Sequence, residues 1–152
     1  MQALTDASPG LARRRPVRPR VLSFSVRSLA AVLALVTLAL LAAFQLLLAL
    51  GMPLGRYAWG GQHQVLPSRL RAGSVASIAL YALFATVIAD RVCLIEVLPN
   101  VVSGVATWVL VGYFLLGVVI NAISRSVPER LTMAPVSAVL AIACTTVALG
   151  PA

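Results

Sequence analysis

Lysine is absent from this chain, histidine occurs once, and aspartate and glutamate together occur four times. Charged residues make up 11% of the whole, against about 25% in a soluble domain. That is too little charge to cover a compact surface in water. The two cysteines, Cys93 and Cys144, form no C-x-x-C pair, which excludes the closely spaced thiols of a four-helix oxidoreductase. No cluster of His, Cys and acids has metal-ligand spacing, and no phosphate-binding loop or nucleophile motif occurs. Neither metal nor cofactor is therefore expected. Basic charge is the exception to this scarcity. Twelve arginines give a formal net charge of +8 and a pI near 11.3, values that would suit a nucleic-acid partner. The arginines lie in a tail and in short loops, without alternating aromatics to stack on bases. Nucleic acid is therefore set aside in favour of membrane orientation and anionic headgroups.

Four apolar runs fill most of the chain: Leu29–Leu50, Ala72–Ala89, Val101–Ile123 and Leu131–Leu149. None contains Asp, Glu, Lys, Arg or His. At ~1.5 Å per helical residue each matches a hydrocarbon core of about 30 Å. The mean hydropathy of +0.99 agrees. The expected fold is an all-α membrane protein of four transmembrane helices arranged as two antiparallel hairpins. It occupies residues 29–150, behind an Arg/Pro-rich tail over residues 1–28 that is expected to be disordered. The apolar run after the tail is too long for a cleaved signal peptide, so it reads as a signal anchor.

Gly51 and Pro53 end helix 1. Ser68 reads as the N-cap of helix 2. Ser126-Val127-Pro128-Glu129 reads as a capping box that opens helix 4. Loop 3 is short enough to force helices 3 and 4 antiparallel. The halves share a faint repeat, apolar-Pro-x-Arg-Leu, at Leu66–Leu70 and Val127–Leu131. Small-residue stripes run along helix 2 (Ala72, Ala76, Ala79, Ala82, Ala85, Ala89) and helix 4 (Ala134, Ala138, Ala141, Thr145, Ala148). Both faces are expected to pack inward, since small residues let helix backbones approach in lipid.

The positive-inside rule is divided. A cytoplasmic N-terminus puts the six tail arginines and Arg91 inside, and Arg56, Arg69, Arg71, Arg125 and Arg130 outside. The tail is given the greater weight, so both termini are expected in the cytoplasm. Loops 1 and 3 share a face under either orientation.

Chemistry is expected on that shared face. In loop 1, Gly60-Gly61 permits positive φ, Tyr57 and Trp59 suit the headgroup layer, and His63 is the single histidine of the chain. As a ligand loop it would use Arg56, Trp59, His63, Arg69 and Arg71, with Arg125 and Arg130 from loop 3, to hold an anionic group. As an interfacial loop it needs no ligand. Gln45 and Asn121 lie inside the spans near the same face and should turn inward, because an amide in lipid needs a partner. They form either interhelical bonds or a polar vestibule under loop 1. Asp90 would be membrane-embedded if helix 2 ran on to Leu98, and Glu129 reads as a cap residue that could also pair with His63. Cys93 and Cys144 read as inert.

The loop Pro53-x-Gly55-x-x-Ala58-Trp59-Gly60-Gly61…Leu66-Pro67-x-x-Leu70-Arg71, with Asn121-x-x-Ser124-Arg125-Ser126-x-x-Glu129-Arg130, resembles an uncharacterised family of small bacterial four-helix membrane proteins. The resemblance runs from about Leu29 to Gly150 and implies the same architecture, with no activity attached. Small multidrug exporters differ in carrying a Glu in helix 1, where this chain has Gln45. Fluoride channels carry Asn and Phe pore motifs that are missing here. The leading expectation is a non-enzymatic accessory or interaction protein of the bacterial inner membrane, with lipids and either a second copy or a partner membrane protein as companions. A small transporter or channel subunit with the vestibule comes second. A lipid-active enzyme using His63 and Glu129 comes third.

Overall fold

The computed structural model describes residues 20–150, with side chains from residue 26. Four α-helices are present among the described residues: α1 (Arg20–Ala49), α2 (Ser68–Arg91), α3 (Asn100–Ala122) and α4 (Val127–Ala148). No strand occurs among the described residues. Each helix is long and apolar enough to cross a membrane, and the protein is a multi-pass membrane protein by that measure. Large apolar side chains such as Val101, Ile123 and Leu149 point outward, each more than 70% exposed. Such a surface suits lipid and not water.

The bounds differ from the sequence expectation at the helix starts. Helix α1 begins at Arg20, within the segment assigned to the tail. Pro19 is the last proline before it, and nothing in Arg20–Ser28 breaks a helix. The apolar run marks only the lipid-matched part. The expected disorder of residues 1–19 lies outside the described residues. Helix α2 begins at Ser68 with Pro67 as N-cap and no side-chain cap bond, so Ser68 is the first helical residue and not the cap.

Two helix ends are built alike. After α1, the Gly51 N–H donates to Leu48 and the Met52 N–H to Leu47, both at 3.0 Å. This is a Schellman turn with Gly51 at φ +90°. After α2, the Cys93 N–H donates to Asp90 and the Leu94 N–H to Ala89, both at 2.9 Å. Here the left-handed residue is Cys93, at φ +59°. Because α2 stops at Arg91, Asp90 lies at the helix end. Its Oδ1 accepts the Val97 and Leu98 N–H groups at 2.7 and 2.9 Å. That carboxylate folds loop 2 back over the helix end.

The helices form a ring in chain order. α3 packs most extensively on α4, and α1 on α2. α1 and α4 join the two hairpins, and the α2–α3 contact is thinner. The tightest packing lies toward loop 2 and the chain ends, where Ala31, Ala34, Ile88, Cys144 and Val147 are at most 1% exposed. The small stripe of α4 turns inward there, with Ala141 and Ala148 buried. The stripe of α2 does so only at its far end: Ala72, Ala76, Ala79 and Ala82 are exposed, while Ala85 and Ala89 are half-buried and Ala85 packs on the core. The inner face of α2 is instead filled by Ser74, Phe84, Val87 and Ile88.

Candidate functional site

Loop 1 is a folded cap. It holds two 3₁₀ turns, Gly55–Tyr57 and Trp59–Gly61. Leu48, Ala58 and Leu66 form a small apolar core beneath it. The Gly55 N–H donates to the Gln64 carbonyl at 2.9 Å, and a Cβ on Gly55 would collide with the His63 carbonyl. Trp59, Gly60 and Gly61 are three consecutive residues at positive φ. The glycines adopt this freely, while Trp59 bears a cost of about 1–2 kcal/mol. The twist turns the Gly60 N–H toward α4.

That N–H donates to both oxygens of Glu129, at 3.1 and 3.3 Å. The Ser124 hydroxyl donates to the same carboxylate at 2.5 Å. Ser126 caps α4 by accepting the Glu129 N–H at 3.5 Å, and its hydroxyl donates to the Arg56 carbonyl at 2.5 Å. The expected capping box is thus half formed. Ser126 caps, but the Glu129 side chain does not return to the Ser126 N–H, which donates to Ser124 Oγ instead. Glu129 is 7% exposed and ties loop 1 to loop 3.

Beneath this tie lies a cavity of about 270 Å³. Gln45 and Phe44 of α1, Trp59 of loop 1, and Asn121 of α3 lie on its wall, as do Glu129 and Ser137 of α4. Helix α2 contributes Tyr81 alone. Its ring contact with α3 is made one turn further on, where Phe84 stacks edge-on against Tyr113 and Phe114 at 4.9 and 5.6 Å. Above that level Trp59 fills the space beside α2. Its indole lies on Gly73, where a Cβ would come within 2.7 Å of the ring, and its N–H donates to Ser74 Oγ at 3.4 Å. On α3 the wall includes Tyr113, Leu116 and Ile120, which are 45–58% exposed. The cavity therefore reaches the lipid-facing side of the bundle.

The two span amides behave differently. Asn121 Nδ2 donates to Ser137 Oγ at 3.1 Å, a plain interhelical bond. Gln45 is 8% exposed and bonded to Tyr81, but its Oε1 has no partner. A buried amide oxygen left unpaired costs about 1–3 kcal/mol.

The sequence candidates separate accordingly. Gln45, Trp59 and Asn121 meet at the cavity. Arg125 lines a shallower recess of about 240 Å³ beside it, together with Gln62, Ser124 and Glu129. Arg71 is structural: its Nε donates to the Ala49 carbonyl at 2.6 Å and completes the end of α1. Arg56 lies 4.9 Å from the Tyr57 ring centroid. His63, Arg69 and Arg130 are exposed and line neither cavity. His63 and Glu129 form no acid–base pair, since Glu129 is engaged by Gly60 and Ser124. Cys144 is buried, Cys93 is exposed, and neither is in a disulfide.

The aromatic wall was not foreseen. Six of the chain's nine aromatic residues (Phe44, Tyr57, Trp59, Tyr81, Tyr113 and Phe114) line this one cavity. A signal was present, since every tyrosine falls either in loop 1 or within a span. Comparison with protein-family models, with curated proteins and with solved structures finds no match to this chain.

Proposed function

We propose that this chain is a non-enzymatic binding protein of the bacterial cytoplasmic membrane, whose working part is the vestibule beneath loop 1. The occupant is a small amphipathic molecule that enters from the bilayer past Tyr113, Leu116 and Ile120. One observation carries this reading: Gln45, Trp59, Asn121 and Glu129, from four separate segments, converge on a single cavity. Interhelical adhesion explains Asn121, but it leaves Gln45 Oε1 unexplained. Of the three sequence expectations this is closest to the vestibule-bearing transporter subunit. Lipid chemistry has less support, because His63 lies off the cavity wall.

With the six tail arginines in the cytoplasm, loop 1 and the cavity mouth lie on the opposite face. The exposed Arg56, Arg69 and Arg130 then suit anionic headgroups there. A reporter fused after Ala152 should be active in the cytoplasm, and activity only outside would reverse the orientation. The binding reading is tested by purifying the full chain in native lipid discs and identifying retained small molecules by mass spectrometry. A stoichiometric occupant that is lost on Gln45→Leu and on the cavity-filling Met133→Trp supports it. Bulk lipid alone, or an occupant indifferent to both changes, counts against it. A stable copurifying protein with an empty cavity would favour the accessory role.

A further inference from the structure

The wall of the vestibule is chemically one-sided. Its only formally charged group among the described residues is Glu129, and the neighbouring Arg125 lies in the outer recess instead. Glu129 spends three contacts on Gly60 and Ser124, but a carboxylate offers about four lone-pair sites. Gln45 carries an unpaired carbonyl oxygen, buried just behind the wall, and Asn121 uses its NH₂ on Ser137, which leaves its own carbonyl oxygen as an acceptor. Around these acceptors stand six aromatic rings from loop 1 and three helices. Ring faces carry partial negative charge and attract cations, most strongly where water is excluded. Acceptors, one carboxylate and π-faces are complementary to a donor-bearing positive charge on an apolar body.

Resting on the vestibule reading, we infer that the occupant is an organic cation, specifically a protonated amine carried on an aromatic or alkyl group. The ammonium sits at Glu129, and a turn of the Gln45 amide brings its unpaired oxygen onto the remaining N–H groups. The apolar body lies among Phe44, Tyr81, Tyr113 and Phe114. The volume sets the size: about 270 Å³ equals roughly nine waters at ~30 Å³ each, which corresponds to on the order of ten heavy atoms. A quaternary ammonium keeps the charge but lacks N–H donors, so it should bind more weakly than the amine.

The test uses the full chain in zwitterionic lipid nanodiscs with Trp108→Phe, so that Trp59 is the single tryptophan and can be excited selectively. The probes are phenethylammonium, its trimethylated quaternary form and neutral phenethyl alcohol. The expected result is a saturable Trp59 response to phenethylammonium. Its affinity should exceed that for the alcohol by about tenfold or more and that for the quaternary form by several-fold. Glu129→Gln should abolish the preference for charge, and Gln45→Leu the preference for the amine over the quaternary form. Because Glu129→Gln also loosens loop 1, Phe44→Leu with Tyr113→Leu serves as a second variant. It leaves the carboxylate in place and should weaken both cations more than the alcohol. Equal affinity for amine and alcohol, both lost on Met133→Trp, overturns the cation assignment and leaves the vestibule standing. No saturable response to any probe, with an empty cavity in discs, overturns both.

Discussion

The loop-1 half and the loop-2 half of the bundle are made of the same helices but are packed differently. Toward loop 2, Ala31, Ala34, Ile88, Cys144 and Val147 leave almost no surface exposed. Toward loop 1, α2 gives the wall only Tyr81, Trp59 fills part of the space, and a cavity remains. Lipid is as apolar as leucine, so close packing supplies much of the association between membrane helices. A cavity forgoes that contact, and it persists here because the loop-1 cap is held independently, by Glu129 and by its own small core. The packed half thus has the build of a scaffold, and the open half holds the proposed site.

The largest expected effects test the packed half. Ile88 is fully buried, and Ile88→Ala should lower the unfolding free energy by about 2–4 kcal/mol. Leu116→Ala, on the cavity wall and 58% exposed, should cost less than about 1 kcal/mol. Denaturation of both variants in mixed micelles measures the pair. Equal losses would mean that the two halves are packed alike.

Each half is also closed by one buried carboxylate. Asp90 reaches N–H groups seven and eight residues along the chain, while Glu129 reaches one 69 residues away. Replacing either by its amide removes the charge that strengthens these hydrogen bonds. The effects should differ in range. Asp90→Asn should raise hydrogen exchange at Val97 and Leu98 alone. Glu129→Gln should raise it across loop 1 and change Trp59 emission. Local exchange in both would show that loop 1 holds its shape without loop 3.

The scaffold was largely legible in the sequence, because a bilayer demands about twenty consecutive apolar residues and this chain supplies them four times. The site was legible only in part. The shared sidedness of Gln45, Asn121 and loop 1 follows from counting crossings. The face of a membrane helix that turns inward does not follow from composition, since both faces are apolar. For that reason the sequence points all six α2 alanines inward, while Ala72, Ala76, Ala79 and Ala82 are exposed. Glu129 was hidden by a local motif: S-x-x-E describes a cap correctly, but a tertiary donor, the Gly60 N–H, took the carboxylate. The arginines looked alike as letters, and only the structure separates Arg71, bonded to the end of α1, from the exposed Arg69 and Arg130.

Smaller changes probe the loop-1 twist. Gly60 and Gly61 share positive φ, but a Cβ on Gly60 meets open space and one on Gly61 collides with the Ser126 side chain. Gly60→Ala should cost about 1 kcal/mol of backbone strain. Gly61→Ala should cost up to about 1 kcal/mol more, and Ser126→Gly should recover only part of it because it also removes the α4 cap. Thermal unfolding of the three variants resolves these terms. Equal losses at Gly60 and Gly61 would show that loops 1 and 3 part without penalty.

The smallest effect has the opposite sign. The Schellman turns after α1 and α2 have the same hydrogen bonds, but Gly51 holds the left-handed position in one and Cys93 in the other. A non-glycine residue there costs about 1–2 kcal/mol, and glycine returns about 0.5–1 kcal/mol of that through greater freedom in the unfolded chain. Cys93 is exposed and in no disulfide, so Cys93→Gly forfeits little packing. It should raise stability by a few tenths to about 1 kcal/mol. Gly51→Cys should lower it by a similar amount, because a Cβ there meets only the Arg71 guanidinium at ordinary contact distance, 3.5 Å. The double exchange should then be close to neutral. If Cys93→Gly destabilises instead, the thiol has a role beyond ending α2, and the loop-2 half is more than scaffold.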